Sequence, residues 1–420
     1  MRVAFYAPLK SPDSPSPSGD RLIGRLLIEA LRRGGHEVEL LSRFRAFDAG
    51  NDPARRGRLQ DIGKAMAARY VRQLLAMPPV RRPQAMFTYH VYDKAPDWIG
   101  PAVARALGIP YLICEASLNP ARAKGATAAG HVAARAAIAA ADAVIELNPA
   151  DRKAVAGALK PGAAIIGLAP FIDTAAFDPG PEPHERPGGG TAALKRSLAR
   201  THGLDAADPW LLAVAMMRHG DKLESYRVLA EALGALRQRP WRLLVAGDGV
   251  ARAQVEHAFR SLGPDRVRFL GRQEGEALSM LVRGSDIFVW PAVNEALGMA
   301  ILEAQAAGKP VIAGRHGAIG EIVHDGVTGI LVPERDPERF AQAVAALLDD
   351  PHGASAMGRA ARENARCRHG IEGAARVLDD ALAGAVKRAG AHSRPAPIEI
   401  DEKRRPGGAN PHASLTKGGI

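Results

Sequence analysis

Short apolar runs alternate with helical patterns or Gly-rich turns along the chain, and the series occurs twice. Runs at residues 3–8, 38–41, 85–89, 110–114, 143–147 and 163–168 form the first series; runs at 210–215, 242–246, 267–270, 286–290, 310–313 and 329–332 form the second. Strand, helix and strand in succession is the parallel crossover unit, and its repetition predicts an α/β fold with a parallel sheet covered by helices on both faces. Between the series, residues 179–208 turn to Pro, Gly and charge, and a linker is expected there. This divides the chain into a domain over 1–178, a second over 209–384, and a tail over 385–420 that lacks an apolar period and is expected to be disordered. With 420 residues, 47% of them hydrophobic, there is material for two cores. Two doubly wound, Rossmann-like domains facing one another would bring the carboxyl ends of both sheets to a shared cleft.

Composition narrows the function classes. Two cysteines, Cys114 and Cys367, cannot build a disulfide framework or a four-cysteine zinc site, and a reducing cytosol fits them. No signal-peptide pattern opens the sequence and no window of about 20 apolar residues follows, so a cytoplasmic location is expected. The net charge of +11 is concentrated early, residues 1–178 carrying 24 Lys and Arg against 16 Asp and Glu. Aromatic residues are 5% of the chain and no nucleic-acid-binding signature is present, so no nucleic-acid partner is expected.

The most specific stretch covers residues 290–312: a strand, a loop with Glu295, a helix opening near Gly298, a glycine stop and another strand. The N–H groups of Leu297, Gly298 and Met299 would form an anion site, with Gly298 permitting close backbone approach. Glu303, five residues beyond Gly298, lies roughly 7–8 Å along the helix axis, and its side chain leans back toward the helix start. Two carboxylates beside a diphosphate are tolerable only if each bonds hydroxyl groups, which points to a sugar and a ribose. After the strand at 210–215, Arg218 and Lys222 offer a planar fork and a point charge to the same diphosphate.

These residues resemble glycosyltransferase family 4, marked by two glutamates with seven residues between them, as Glu295 and Glu303 stand here. The resemblance implies a GT-B fold and a retaining transfer from a nucleotide-diphosphate sugar. Glu303 would then hold the ribose, Glu295 would touch the donor sugar, and Arg218 with Lys222 would neutralise the leaving nucleotide. The basic loop departs from the family pattern, with Met217 and Leu223 where glycines usually stand. Gly247, Gly249, Gly271 and Arg272 are similar to family loops that flank the nucleotide. A plain strand-to-helix turn is the other reading of Gly247 and Gly249. In the first half, Gly19 and Asp20 fall where a family glycine approaches the donor. Glu115 stands where many members carry a histidine against the donor sugar, which leaves the donor's identity open. His90, Asp93 and Asn119 are candidates for the acceptor side.

No two Asp residues are separated by a single residue, so no Asp-x-Asp metal pair exists, and a metal-independent reaction without cofactor is expected. The acceptor is expected to be a saccharide or a lipid-linked saccharide. A nucleotide-sugar epimerase is the alternative reading. A dehydrogenase lacks its glycine fingerprint after the first strand, and a non-catalytic sensor is a further possibility. Residues 43–82 carry ten Lys or Arg against three Asp, with Leu59, Ile62, Met66, Tyr70, Leu74 and Met77 at helical spacing. That stripe either packs on the sheet or docks the protein peripherally on an anionic membrane face.

Overall fold

The computed structural model describes residues 1–16, 18–49, 52–178 and 190–392. The first unit runs β1 (Arg2–Tyr6), α1 (Gly19–Arg33), β2 (Glu37–Ser42), α2 (Pro53–Ala76), β3 (Ala85–Val91), α3 (Gly100–Leu107), β4 (Tyr111–Ala116), α4 (Ala128–Ala140), β5 (Ala143–Glu146), α5 (Arg152–Ala156) and β6 (Ala164–Gly167). The second runs α6 (Gly190–His202), β7 (Trp210–Val214), α7 (Asp221–Gly234), β8 (Arg242–Ala246), α8 (Arg252–Phe259), β9 (Val267–Gly271), α9 (Gly275–Gly284), β10 (Ile287–Trp290), α10 (Met299–Ala306), β11 (Val311–Gly314), α11 (Ile319–Ile322), β12 (Gly329–Val332) and α12 (Pro337–Asp349). Two further helices, α13 (Pro351–Arg368) and α14 (Ile371–His392), close the described chain.

Each unit contains a six-stranded sheet, ordered β2-β1-β3-β4-β5-β6 and β12-β11-β10-β7-β8-β9, and every pairing is parallel. Two parallel, doubly wound sheets are what the alternation predicts and what the GT-B fold implied by the resemblance requires. Side chains of a strand serve opposite faces in turn. Accordingly Val3 and Phe5 enter one buried cluster with Leu27 and Leu31 of α1, while Ala4 and Tyr6 enter another with Ala67 and Leu74 of α2. The strand order reverses between β1 and β3 in the first sheet and between β7 and β10 in the second. A crevice opens beyond the strand ends at each reversal.

Two features differ from the sequence reading, and a third decides between its alternatives. First, within the expected linker, Gly190–His202 is a helix, with Leu198 and Ala199 buried in the second core; residues 179–189 lie outside the described residues. Local Pro and Gly content hid the apolar spacing of Leu194 and Leu198. Second, the expected tail from 385 begins inside α14, which runs to His392 and packs on α1 rather than on the second unit. Its Ile371, Leu378, Leu382 and Ala385 are buried in the cluster of the first sheet, and Arg33 of α1 reaches Glu372 at 2.6 Å. Residues 393–420 lie outside the described residues. Third, the stripe on α2 faces inward: Met66, Tyr70, Leu74 and Met77 pack beside Tyr6 and Met86, the face of the sheet that needs a cover. Ile62 is the exception, 48% exposed. The outward arc of α2 carries Arg55, Arg58, Lys64, Arg69 and Arg72, with Leu75 exposed nearby and Val80 just past the helix.

Candidate functional site

The loop that follows β7 is braced by its neighbours. Ala215 N–H donates to Ala246 O at 3.1 Å and Met217 N–H to Asp248 O at 3.0 Å, while Gly247 N–H donates to Gly271 O at 2.7 Å. The Gly247 and Gly249 α-carbons press on the carbonyls of Ala215 and Met217, so a Cβ at either position would overlap them. These glycines let three strand-end loops stack, and the stack presents Arg218. That guanidinium is exposed, and no hydrogen bond or ion pair to it occurs among the described residues. Lys222 opens α7 and forms an ion pair with Glu295 Oε2. Trp290 Nε1 donates to the same oxygen at 3.3 Å, and the Lys222 ammonium lies 5.3 Å from the Trp290 ring centre.

The loop from β10 to α10 is held in a strained course. Ala292 (φ 55°) and Asn294 (φ 49°) are left-handed, a conformation that costs a non-glycine residue about 1–3 kcal/mol. Hydrogen bonds over-determine it: Val293 N–H to Ser225 Oγ at 3.0 Å, Asn294 N–H to Glu334 Oε1 at 2.8 Å, and Asn294 Nδ2 to Asp221 Oδ2 at 3.0 Å. Gly298 caps α10 at φ 64°, where a Cβ would lie 3.2 Å from Ile319 Cγ1. Ile301 and Leu302 N–H donate to Gly298 O at 2.9 and 3.2 Å, which leaves the N–H groups of Met299 and Ala300 at the helix start without an intrahelical acceptor. The side chains of Leu297 and Met299 pack on Ile23, Leu26, Leu147 and Phe171 of the first unit, which fastens this helix start across the cleft. Glu303 is buried without a hydrogen-bond partner among the described residues, and burial pushes its carboxyl up to about 7.

Facing this crevice, Gly19 starts α1 behind its cap Ser18, whose Oγ accepts from Arg21 N–H at 3.2 Å, and the space beside Gly19 Cα is open. Asp20 bonds His90 Nδ1 at 2.9 Å across the reversal between β1 and β3. Burial opposes ionisation of Asp20, but the hydrogen bond and charge of His90 prevail and hold its carboxyl below the usual range. His90 (φ 64°) and Glu115 (φ 62°) are also left-handed, each near the end of its strand. Glu115 accepts from Leu147 N–H at 2.9 Å; burial raises its carboxyl while the nearby His90 charge works the other way.

Other candidates are engaged elsewhere. Asp93 is buried in an ion pair with Arg122 at 2.8 Å, and Asn119 accepts from Ala121 N–H at 2.9 Å as a local turn cap. Arg272 donates to Glu274 Oε1 at 2.9 Å, and Arg21 of the first unit reaches the same oxygen at 3.3 Å. Glu274 thus bridges the two units, and sequence reasoning missed it. Asn294 and Trp290 were missed too. Asn294 had a signal, since asparagine tolerates the left-handed conformation better than most residues.

A family model described as Glycosyl transferases group 1 matches residues 208–350. Among curated proteins, a D-inositol 3-phosphate glycosyltransferase of Corynebacterium kroppenstedtii is 39% identical over 151 residues, 36% of this chain and 33% of that protein. The D-inositol 3-phosphate glycosyltransferase 2 of Catenulispora acidiphila is 32% identical over 223 residues, 52% of this chain and 50% of that protein. The chain thus spans about a third to a half of the length of the curated relatives it matches. Among solved structures, Anabaena Alr3699/HepE in complex with UDP superposes with a TM-score of 0.68 at 17% identity, covering 91% of this chain and 100% of that one. Sucrose-phosphate synthase from Thermosynechococcus elongatus gives 0.67 at 21%, covering 90% and 98%. At these identities the likeness shows the fold, and it extends over both units. The sequence match falls on the second unit, whose residues 208–350 match the model of the glycosyl transferases group 1 family.

Proposed function

We propose that the chain is a retaining, metal-independent glycosyltransferase that moves a sugar from a nucleoside diphosphate to an acceptor hydroxyl in the cleft between its sheets. The observation that carries this reading is the meeting of Arg218, Lys222, Glu295 and the Gly298 helix start at one strand-order reversal. Fixed positive potential from the two cations and the helix start receives the diphosphate in place of a divalent ion. Glu303 accepts from ribose hydroxyls, and Glu295 bonds hydroxyls of the donor sugar. In the transfer, the bond from the anomeric carbon to the diphosphate breaks and a bond to the acceptor oxygen forms. The acceptor proton passes to the departing phosphate oxygen. Gly19, Asp20 and Glu115 border the sugar from the other side, with His90 toward the acceptor. The UDP and UDP-glucose complexes of Alr3699/HepE make a uridine nucleotide the first donor to try.

The acceptor is a saccharide or a lipid-linked saccharide, reached from the cytoplasmic side. Among the described residues no helix is long and apolar enough to cross a membrane. Contact with an anionic surface would use the outward arc of α2, not the buried stripe. No observation favours the epimerase alternative. A thermal-shift titration with UDP and GDP in EDTA tests the donor reading, since a ligand at 100 times its dissociation constant stabilises by about 2.7 kcal/mol. No shift with either nucleotide would overturn it.

A further inference from the structure

Two aromatic rings stand side by side where β3 ends. The ring centres of His90 and Tyr92 are 5.0 Å apart with a tilt of 35° between planes, and His90 Nδ1 is held by Asp20 at 2.9 Å. The turn that carries Tyr92 is braced from several elements. Ala95 N–H donates to Tyr92 O at 3.0 Å, Asp48 N–H to Lys94 O at 2.8 Å, and Asp93 pairs with Arg122 at 2.8 Å. Gly130 of α4 lies so close that a Cβ there would overlap Asp93 O. The Tyr92 ring is only half-buried, whereas Tyr89 is wholly buried in the core. The Tyr92 hydroxyl has no hydrogen-bond partner among the described residues. Burial first, then the charges of Asp20 and Asp93, push this phenol above its ordinary value, so it stays a neutral donor. Tyr92 therefore offers an apolar face and an unused donor from a fixed mount, beside the proposed acceptor-side His90.

A six-membered sugar ring has the matching character. Its C–H bonds line the faces and its hydroxyls project around the rim. We propose that Tyr92 is the platform on which the acceptor's ring rests, so that the protein selects a closed-ring polyol over an open-chain one. The C–H bonds of one ring face lie on the electron-rich face of the phenol. The Tyr92 hydroxyl donates to a rim oxygen, and His90 Nε2, opposite the nitrogen that Asp20 engages, accepts from a neighbouring hydroxyl. This assignment rests on the reading above for the saccharide acceptor and for the side on which His90 stands. It adds the residue that recognises the ring and the property recognised.

The test is saturation-transfer NMR of methyl β-D-glucopyranoside with the full chain saturated with UDP, for the wild type, Tyr92→Phe and Tyr92→Leu, with sorbitol as the open-chain probe. In the wild type, the protons of one ring face, which sit on alternate carbons, should be saturated more strongly than those of the other, and sorbitol should bind about tenfold more weakly. Tyr92→Phe should keep the preference for one face with affinity lowered about fivefold by the lost hydroxyl. Tyr92→Leu should lose the face preference, and UDP affinity should hold in both variants. The proposal is overturned if the two faces are saturated equally, if sorbitol binds as well as the glucoside, if Tyr92→Leu binds as the wild type does, or if the glucoside does not bind. Should Tyr92→Leu fail to fold, Tyr92→Phe and the sorbitol comparison decide the question. Failure of UDP to bind the wild type sinks the donor reading instead, and the glucoside experiment on the unliganded protein then decides the platform.

Discussion

Lys222, at the start of α7, and Glu295, in the loop leading to α10, form an ion pair across the reversal between β7 and β10. Each satisfies the other, so on the proposed reading a diphosphate sugar would part them, Lys222 turning to the phosphate and Glu295 to the sugar. Glu295→Gln removes that competition. Its UDP affinity should stay level or rise, while kcat for UDP-sugar falls about a hundredfold through loss of a contact made in the transition state. Calorimetry beside steady-state kinetics checks this, and a fall in UDP affinity equal to the fall in kcat would contradict it.

On the proposed reading, Glu303 would link nucleotide binding to pH. Its folded-state value of about 7 lies above the ordinary glutamate value of 4.5, so between these limits the unfolded chain has lost a proton that the folded chain keeps. Stability contributed by the protonated form is therefore complete below about 4.5 and lost as pH rises toward 7. Glu303→Gln should remove this slope and stabilise the unliganded protein at pH 8 by a few kcal/mol, a tenfold change in proton affinity being worth about 1.4 kcal/mol. The same variant should bind UDP more weakly, by about 1.5–3 kcal/mol for a lost charge-assisted bond. Chemical denaturation at pH 5 and 8, with UDP titrations alongside, reads both effects.

Arg218 is exposed and its guanidinium makes no bond among the described residues, so stability places little demand on it. Arg218→Ala should leave the melting temperature within a degree or two and, if it stabilises charge on the leaving diphosphate as proposed, lower kcat about a hundredfold. Wild-type turnover should persist in excess EDTA. Loss of turnover there would sink the metal-independent scheme.

Gly298→Ala places a Cβ at φ 64°, 3.2 Å from Ile319 Cγ1 and 3.3 Å from Ile301 Cδ1. We expect a loss of about 1–2 kcal/mol in stability and weaker UDP binding, since the start of α10 must shift. Unchanged UDP affinity in the folded variant would separate this helix start from the diphosphate.

The outward arc of α2 should make binding to phosphatidylglycerol vesicles fade with salt, each basic residue near such a surface contributing about 1 kcal/mol. Replacing Arg58, Arg69 and Arg72 together by Gln should abolish sedimentation with these vesicles at low salt. Equal sedimentation of the triple variant, or of the wild type with neutral vesicles, would point away from this arc.

What the sequence disclosed follows the range of the interactions involved. Central strands such as β3, β4, β7 and β10 were legible because burial on both faces leaves unbroken apolar runs, whereas the edge strands β2 and β9 carry Glu39 and Arg268 within theirs; the segment from Trp290 to Val311 was legible because strand, loop and helix are contiguous. The pairing of Lys222 with Glu295 was not, since 73 residues separate them and only the strand order brings them together. Asp20 and His90, 70 residues apart, were singled out separately and not as a pair for the same reason. The stripe on α2 had a recognisable period, but period alone does not say whether sheet or lipid covers it. Gly247 and Gly249 were noticed as turn residues, whereas their close approach to Ala215 and Met217 depends on a neighbouring loop.

The backbone passes between the two units at residues 168–178 and returns at 368–371, and the passages lie side by side. Ile172 pairs with Gly370, Ile172 N–H donates to His369 O at 2.9 Å, and His369 Nδ1 meets Pro170 O at 2.7 Å. Two crossings laced together act as the spine of a book. If the covers open, that spine would be the line about which they swing, and the Arg21–Glu274 pair at the strand-end loops would be the clasp that opening has to release.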